Sequence, residues 1–277
     1  MFTIRERKEL NPTVTLLVLD APLIAHKARA GQFVMVRVDA TGERIPLTIA
    51  DYDVQAGTIT IIFQIVGGTT RRLNELRPGD AIAGVTGPLG HPTQYGDAKK
   101  VVVIGGGVGC AIAYPQARQL HREGIDVTVI AGFRSKDLVI LEEEMKAASN
   151  TAIITTDDGS YGQKGFVTDK LRALWEAGER FDLCIAIGPI PMMKFTAKLT
   201  QELGIPTIVS LNPIMVDGTG MCGGCRVTVG GQVKFACVDG PDFDGHQVDY
   251  DELMKRNASY RKQESAHICR LEEIAHE

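Results

Sequence analysis

The chain has 277 residues, enough for two domains with cores of their own. Hydrophobic residues make up 44% and charged residues 23%, as in ordinary globular proteins, and a net charge of −4 gives no basic footprint for nucleic acid. No apolar run reaches transmembrane length, and the charged start MFTIRERKEL lacks the apolar core of a signal peptide, so no membrane and a cytoplasmic location are expected.

To about residue 97 the chain reads as β structure. Runs 14–19, 33–38 and 58–66 are rich in β-branched residues and separated by glycine or proline, a pattern that predicts a small antiparallel barrel. A helix is expected over 69–76, ending before Pro78-Gly79. Arg44-Ile45-Pro46-Leu47-Thr48 stands at a strand start, where an arginine and a hydroxyl beside a fixed proline suit a phosphate and a ring edge. Phe63-Gln64-Ile65 ends the third run. Gly67-Gly68-Thr69-Thr70 opens the helix, where backbone amides can wrap a pyrophosphate. Strand packing and a plain turn account for these segments about as well.

The pattern changes at Lys99. Strands are expected over 101–104, 127–131, 152–155, 183–187 and 207–210, alternating with helices over 111–123, 141–148, 168–177 and 192–203. Such alternation implies a parallel sheet covered on both faces. Gly105, Gly106, Gly107 and Gly109 join the first strand to its helix, where amides and a helix N-terminus can face a pyrophosphate. The GxGxxG match is incomplete, with Cys110 at the third glycine, and a tight turn in any α/β fold is the alternative. Asp157, Asp158 and Gly188-Pro189 fall at strand ends that would line a ligand crevice. Asp158 is the candidate nucleotide contact, while turn and N-cap roles suit both aspartates. Arg134 follows the second strand, where it would meet a 2′-phosphate or make a surface salt bridge. NAD against NADP stays open.

From Asn212 onward the chain carries its strongest signal. Asp217, Cys222, Cys225 and Cys237 are spaced x4, x2 and x11. That is the plant-type ferredoxin arrangement for a [2Fe–2S] cluster, with aspartate in first place. Gly220, Gly223 and Gly224 let backbone pass close to an inorganic core. Zinc, a redox disulfide and buried thiols are the alternatives. The glycine crowding speaks against zinc, whose ribbons usually use two CxxC pairs. Asp217 also suits a turn cap. A hairpin is expected from 226–229 and 233–236 around Gly230-Gly231, then a helical, exposed polar tail from Asp249. Cys110, Cys184 and Cys269 remain as reduced thiols. A nicotinamide gives two electrons as a hydride and such a cluster takes one, so a flavin belongs between them, and no acid–base catalytic residue is expected.

Barrel, nucleotide segment and terminal iron–sulfur loop, in that order, resemble the ferredoxin–NADP reductase superfamily over essentially the whole chain. Within it, the chain resembles the branch of dihydroorotate dehydrogenase electron-transfer subunits. The resemblance implies an α+β, multi-domain fold. An FAD-binding antiparallel β-barrel would span 1–97 and a Rossmann-like NAD(P)-binding α/β domain 98–211. A [2Fe–2S] loop with a small hairpin and terminal helix would span 212–277. It implies FAD at Arg44, Pro46, Leu47 and Thr48, with Phe63, Gln64 and Ile65 and the phosphate loop Gly67, Thr69 and Thr70. It implies nucleotide at Gly105, Gly106, Gly107 and Gly109. That branch carries cysteine where this chain has Asp217. Aspartate with three cysteines, and the run 212–222, are similar to the small subunit of the NADH-dependent reduced ferredoxin:NADP oxidoreductases, also found as sulfide dehydrogenase-type subunits. The similarity implies NAD(H), with NADP(H) possible, as hydride donor to FAD. It also implies a larger partner subunit with its own FAD and iron–sulfur clusters, in a heterodimer or larger complex, ferredoxin reached through that complex, and flavin-based bifurcation. An electron-transfer subunit of dihydroorotate or another dehydrogenase, such as sulfide dehydrogenase, is the second reading. A zinc-stabilised nucleotide-binding module without redox chemistry is the third.

Overall fold

The computed structural model describes residues 1–260 and 263–264. Its first part is β1 (Phe2–Asn11), β2 (Val14–Asp20), a one-turn helix α1 (Pro22–Ala25), β3 (Phe33–Arg37), β4 (Arg44–Asp53), β5 (Thr58–Gln64), α2 (Gly68–Glu75), β6 (Ala81–Ile82) and β7 (Gly84–Leu89). These strands form one antiparallel sheet in the order β6-β1-β2-β5-β4-β3-β7. Its two edge strands are separated in the chain by Ala83 alone, so the sheet must curl back on itself toward a barrel. Alternation decides which side chains go inside. Leu17, Leu19, Val34, Val36, Ile49, Ile59, Ile61 and Phe63 fill the interior with Leu73 of α2. Each buried aliphatic of this size contributes about 1.5–3 kcal/mol.

The second part is β8 (Lys100–Gly106), α3 (Cys110–Arg122), β9 (Asp126–Phe133), α4 (Glu142–Ala147), β10 (Thr151–Thr156), β11 (Gln163–Lys164), α5 (Val167–Glu176), β12 (Leu183–Ile187), α6 (Ile190–Leu203) and β13 (Thr207–Ser210). A continuous apolar run such as Val101-Val102-Val103-Ile104 is buried on both faces. Val101 and Val103 pack toward α3 and α4, whereas Val102 and Ile104 pack toward α5 and α6. Gly204 closes α6 in the left-handed conformation at φ 70°. Arg118 of α3 pairs with Asp51 of β4 and so ties this sheet to the barrel.

The last described part is β14 (Arg226–Val229), β15 (Gln232–Phe235), α7 (Ala236–Asp239), β16 (Asp242–Asp244) and α8 (Tyr250–Asn257). Positive φ at both Gly230 (58°) and Gly231 (74°) makes the hairpin turn type I′. Two expectations need correction here. The nucleotide sheet does not close at 211: β16 adds to its edge antiparallel to β13, with Ser210 opposite Asp242, giving the order β11-β10-β9-β8-β12-β13-β16. Nor is the tail simply exposed. Asp249 caps α8 by accepting the Glu252 N–H at 2.9 Å, and Tyr250 and Leu253 are buried on one face of the helix. Residues 261–262 and 265–277 of the predicted tail, Cys269 included, lie outside the described residues. Among the described residues no helix is long and apolar enough to cross a membrane.

Candidate functional site

A cleft of about 970 Å³ opens over the carboxyl ends of β8, β9, β10, β12 and β13, the crevice an open α/β sheet offers a ligand. Gly106, Gly107 and Gly109 line it. A Cβ on Gly106 would stand 2.4 Å from Met192 Sδ, and one on Gly109 would stand 2.5 Å from the Ile187 carbonyl oxygen. The backbone contact requires glycine at 109, whereas at 106 the Met192 side chain would have to move. Gly107, at φ 55°, has nothing near a would-be Cβ, so its backbone stays open to a ligand. Gly105 lies beneath, where a Cβ would meet Cys110 Sγ at 2.8 Å. Burial pushes the Cys110 thiol far above its ordinary range, which makes it an inert packing residue.

Asp157 and Arg134 both line the cleft. Asp158 turns instead into its own loop, where its Oδ1 accepts from Ser160 N at 2.9 Å and Oγ at 2.7 Å. Those bonds, the hydroxyl first, hold its carboxyl below the usual range. Gln64 reaches the cleft from the barrel side. Sequence reasoning missed Phe166 and Phe195, cleft residues that remain 61% and 62% exposed. Large aromatics left this bare at a concave site suit an aromatic ligand, but no local pattern tells an exposed phenylalanine from a buried one.

The other predicted flavin residues lie elsewhere, on the barrel. In register, Arg44, Pro46 and Thr48 pair with Arg37, Met35 and Phe33, so all six share the outer face. Ile45 and Leu47 pack partly against the barrel core, and Phe63 is buried within it, so Phe63 offers a ligand only backbone. Ile65 packs partly against the same core. Glu43, next to Arg44, accepts a 3.3 Å hydrogen bond from the Thr69 hydroxyl, which brings the strand start to the N-terminus of α2. Thr70 is engaged there already: its hydroxyl accepts from the Val66 and Gly67 amides, each at 3.0 Å. Nothing stands within 4 Å of a Cβ at Gly67, so the helix entrance is open. An exposed arginine, an open helix N-terminus and a hydroxyl on one face fit a flavin phosphate.

The third cluster is Asp217, Cys222, Cys225 and Cys237. Cys225 and Cys237 are buried and form no disulfide, the Cys225 thiol donating to the Cys237 sulfur at 3.2 Å. Burial first, then the Cys225 sulfur, pushes the Cys237 thiol up to about 12. A thiol raised in this way gives up its proton readily beside a cation. Cys222 is exposed and pairs with Asp217, whose Oδ2 accepts the Cys222 N–H at 2.9 Å. Asp217 also accepts from Thr219 N at 3.0 Å and Met221 N at 3.1 Å. Its carboxyl is lowered, the Thr219 amide being the largest cause. Among the described residues no three His, Cys, Asp or Glu side chains converge on one ion. The donors stand as two pairs, Asp217 with Cys222 and Cys225 with Cys237, an arrangement that fits a core of two irons. Gly224 lies against the Cys222 sulfur, its N–H 3.4 Å away.

One buried carboxylate joins the three regions. Asp242, opening β16, accepts from Thr93 Oγ1 at 2.5 Å, and Ser210 and Gln116 also face it. The residue keeps some exposure, but its Oδ1 is buried. Burial pushes this acid up to about 6.

Comparison with known proteins agrees with this layout. Residues 212–249 match the iron-sulfur cluster binding domain of dihydroorotate dehydrogenase B. A Thermotoga maritima homolog of the dihydroorotate dehydrogenase B (NAD(+)) electron transfer subunit is 50% identical over 89% of this chain and 86% of its own length. The Streptococcus mutans electron transfer subunit of that enzyme is 34% identical over 90% of this chain and 97% of its own. A solved chain from work on flavin-based electron bifurcation by the NADH-dependent reduced ferredoxin-NADP oxidoreductase superposes with a TM-score of 0.93 at 45% identity, covering 98% of both chains. The chain belongs to the family of dihydroorotate dehydrogenase B electron transfer subunits and their homologues.

Proposed function

We propose that this chain is the electron-transfer flavoprotein subunit of a bifurcating NADH-dependent ferredoxin:NADP oxidoreductase. It takes hydride from NADH onto FAD and passes electrons to a [2Fe–2S] cluster and then to a larger FAD- and iron–sulfur-containing partner. Ferredoxin is reached through that complex, and the chain works in the cytoplasm. The observation that carries the reading is one of position. The Asp217–Cys237 segment packs on the same outer barrel face that presents Arg44, Pro46 and Thr48, with Phe33 and Met35 in one core with Cys225 and Cys237.

Bound FAD supplies the conversion of a two-electron hydride into single electrons. The chain's own groups bind and orient. Gly106, Gly107 and Gly109 would offer amides to a dinucleotide pyrophosphate, and Asp157 and Arg134, which line the same cleft, would meet its sugar and phosphate groups. Arg44 and the Gly67–Thr70 turn would hold the flavin phosphates, and Pro46 and Thr48, on the same face as Arg44, would help to bind it. Asp217, Cys222, Cys225 and Cys237 hold the cluster. Exposed Val216, Met221 and Val238 beside exposed Cys222 make an apolar patch at the loop, suited to a partner that receives electrons there. Likeness to dihydroorotate dehydrogenase B subunits supports that enzyme as a second setting, and Asp217 in place of the first cysteine favours the first.

Cofactor analysis tests the reading. Anaerobically purified protein should hold about two irons and two acid-labile sulfides per chain and release FAD on mild denaturation. Stoichiometric zinc without iron, or FMN in place of FAD, would overturn it.

A further inference from the structure

We propose that Met35, with Gly218 seated against it, is the positioning residue that holds the cluster loop on the flavin-side face of the barrel and so sets how fast electrons reach the cluster. The inference rests on the function proposed above.

Met35 is 2% exposed and lies opposite Pro46 in the β3–β4 register, on the outer face. Side chains so paired stand about 4.5–5.5 Å apart at Cβ. Its other side meets the cluster loop. A Cβ built on Gly218 would lie 2.6 Å from Met35 Cγ, 3.0 Å from Leu89 Cδ1 and 3.1 Å from Met35 Sδ. Gly218 also has φ +78°, a conformation side chains rarely adopt. Glycine alone lets the loop come this near. Gly218 directly follows Asp217, so Pro46, Met35, Gly218 and Asp217 form an unbroken line from the flavin face to a candidate cluster ligand. One side-chain layer separates them. Methionine suits that gap, being unbranched and able to fill irregular space between a strand and a loop. Hydride from NADH brings two electrons and a proton. Each electron crosses this contact singly, and the proton leaves to water.

The test uses the holoprotein and the series Met35→Leu, Met35→Val and Met35→Ala. After NADH is mixed in anaerobically, flavin and cluster absorbance are followed separately, with flavin reduction as internal reference. The ratio of cluster to flavin reduction rates should fall from Leu through Val to Ala, Leu staying near wild type. The fluorescence lifetime of FAD, shortened by a nearby cluster, should lengthen in the same order. The EPR signal of dithionite-reduced protein and the iron content show that the cluster itself is intact. If Ala sheds iron, Val against Leu decides. Equal rate ratios and equal lifetimes across the series would overturn the inference. A wild-type protein whose cluster never accepts electrons from NADH would instead overturn the proposed function, and the lifetimes would still read the Met35 contact.

Discussion

The two glycine-rich loops are crowded in different ways. At Gly109 the obstacle to a side chain is backbone, the Ile187 carbonyl oxygen at 2.5 Å and Gly188 Cα at 2.7 Å, both from the neighbouring strand's end. At Gly218 the obstacles are side chains of another sheet, Met35 and Leu89 of the barrel. The nucleotide loop is thus pinned by its own sheet, and the cluster loop by the surface on which it docks. Backbone cannot yield without moving a strand, whereas side chains can repack.

That contrast predicts the largest effect. Gly109→Ala should push the loop off the end of β12 and cost about 1–3 kcal/mol of stability. NADH-dependent flavin reduction should fall on the order of 100-fold, as when reacting groups are misplaced by about 1 Å. No side-chain truncation nearby should restore it. Gly218→Ala should lower iron content, and adding Met35→Ala should recover part of the loss by making room, with the strain of positive φ left over. Thermal melts, iron content and NADH single-turnover rates check both halves. Equal rescue in both loops, or in neither, would erase the distinction.

The same contrast explains what was legible in the chain. Val101–Ile104, Gly105–Gly109 and the Cys222–Cys225 spacing are local patterns, and the strands and loops they imply are present. β1 was missed because FTIRERKELN carries charge on its exposed side and reads as a polar segment. β16 was missed because three residues, Asp-Phe-Asp, carry no period. The outer face shared by Phe33, Met35, Pro46 and Thr48 arises from strand register, which a motif around Arg44 does not encode. For that reason Phe63, named by the flavin motifs, proves to be a core residue, and Leu47 packs partly against that core. Asp157 rather than Asp158 reaches the cleft because the turn after β10 uses Asp158 to hold Ser160.

Asp242, facing Thr93, Ser210 and Gln116, gives the next effect. Its acid is raised from 3.8 to about 6 in the folded chain. The native state therefore binds this proton more tightly than the unfolded state does. Burial of the charge lowers stability fully above pH 6, and the penalty disappears as pH falls below about 4. A shift near two pH units is worth about 3 kcal/mol. Asp242→Asn, which keeps shape and loses charge, should be more stable than wild type by up to that amount at pH 7–8, with the gap closing toward pH 4. Urea melts across that range measure it. Parallel curves for the two proteins would show that the carboxylate is not buried as charge.

Arg44→Ala should confine its effect to the flavin and leave both glycine loops untouched. Losing one charge-assisted contact to phosphate should cost about 1.5–3 kcal/mol, roughly 10- to 100-fold in FAD affinity. Iron content and NADH binding should stay as in wild type. Unchanged FAD retention would move the flavin off this face.

Under the proposed function a single route runs through this chain, from nicotinamide to FAD to one cluster, and a partner is needed to divide electrons between acceptors. The most direct measurement gives the isolated holoprotein NADH, first with an artificial acceptor and then with NADPH and a low-potential ferredoxin. The account predicts steady reduction of the artificial acceptor and no coupled reduction of ferredoxin until the partner subunit is added. Steady ferredoxin reduction by this chain alone, or failure of NADH to reduce its flavin at all, would contradict it.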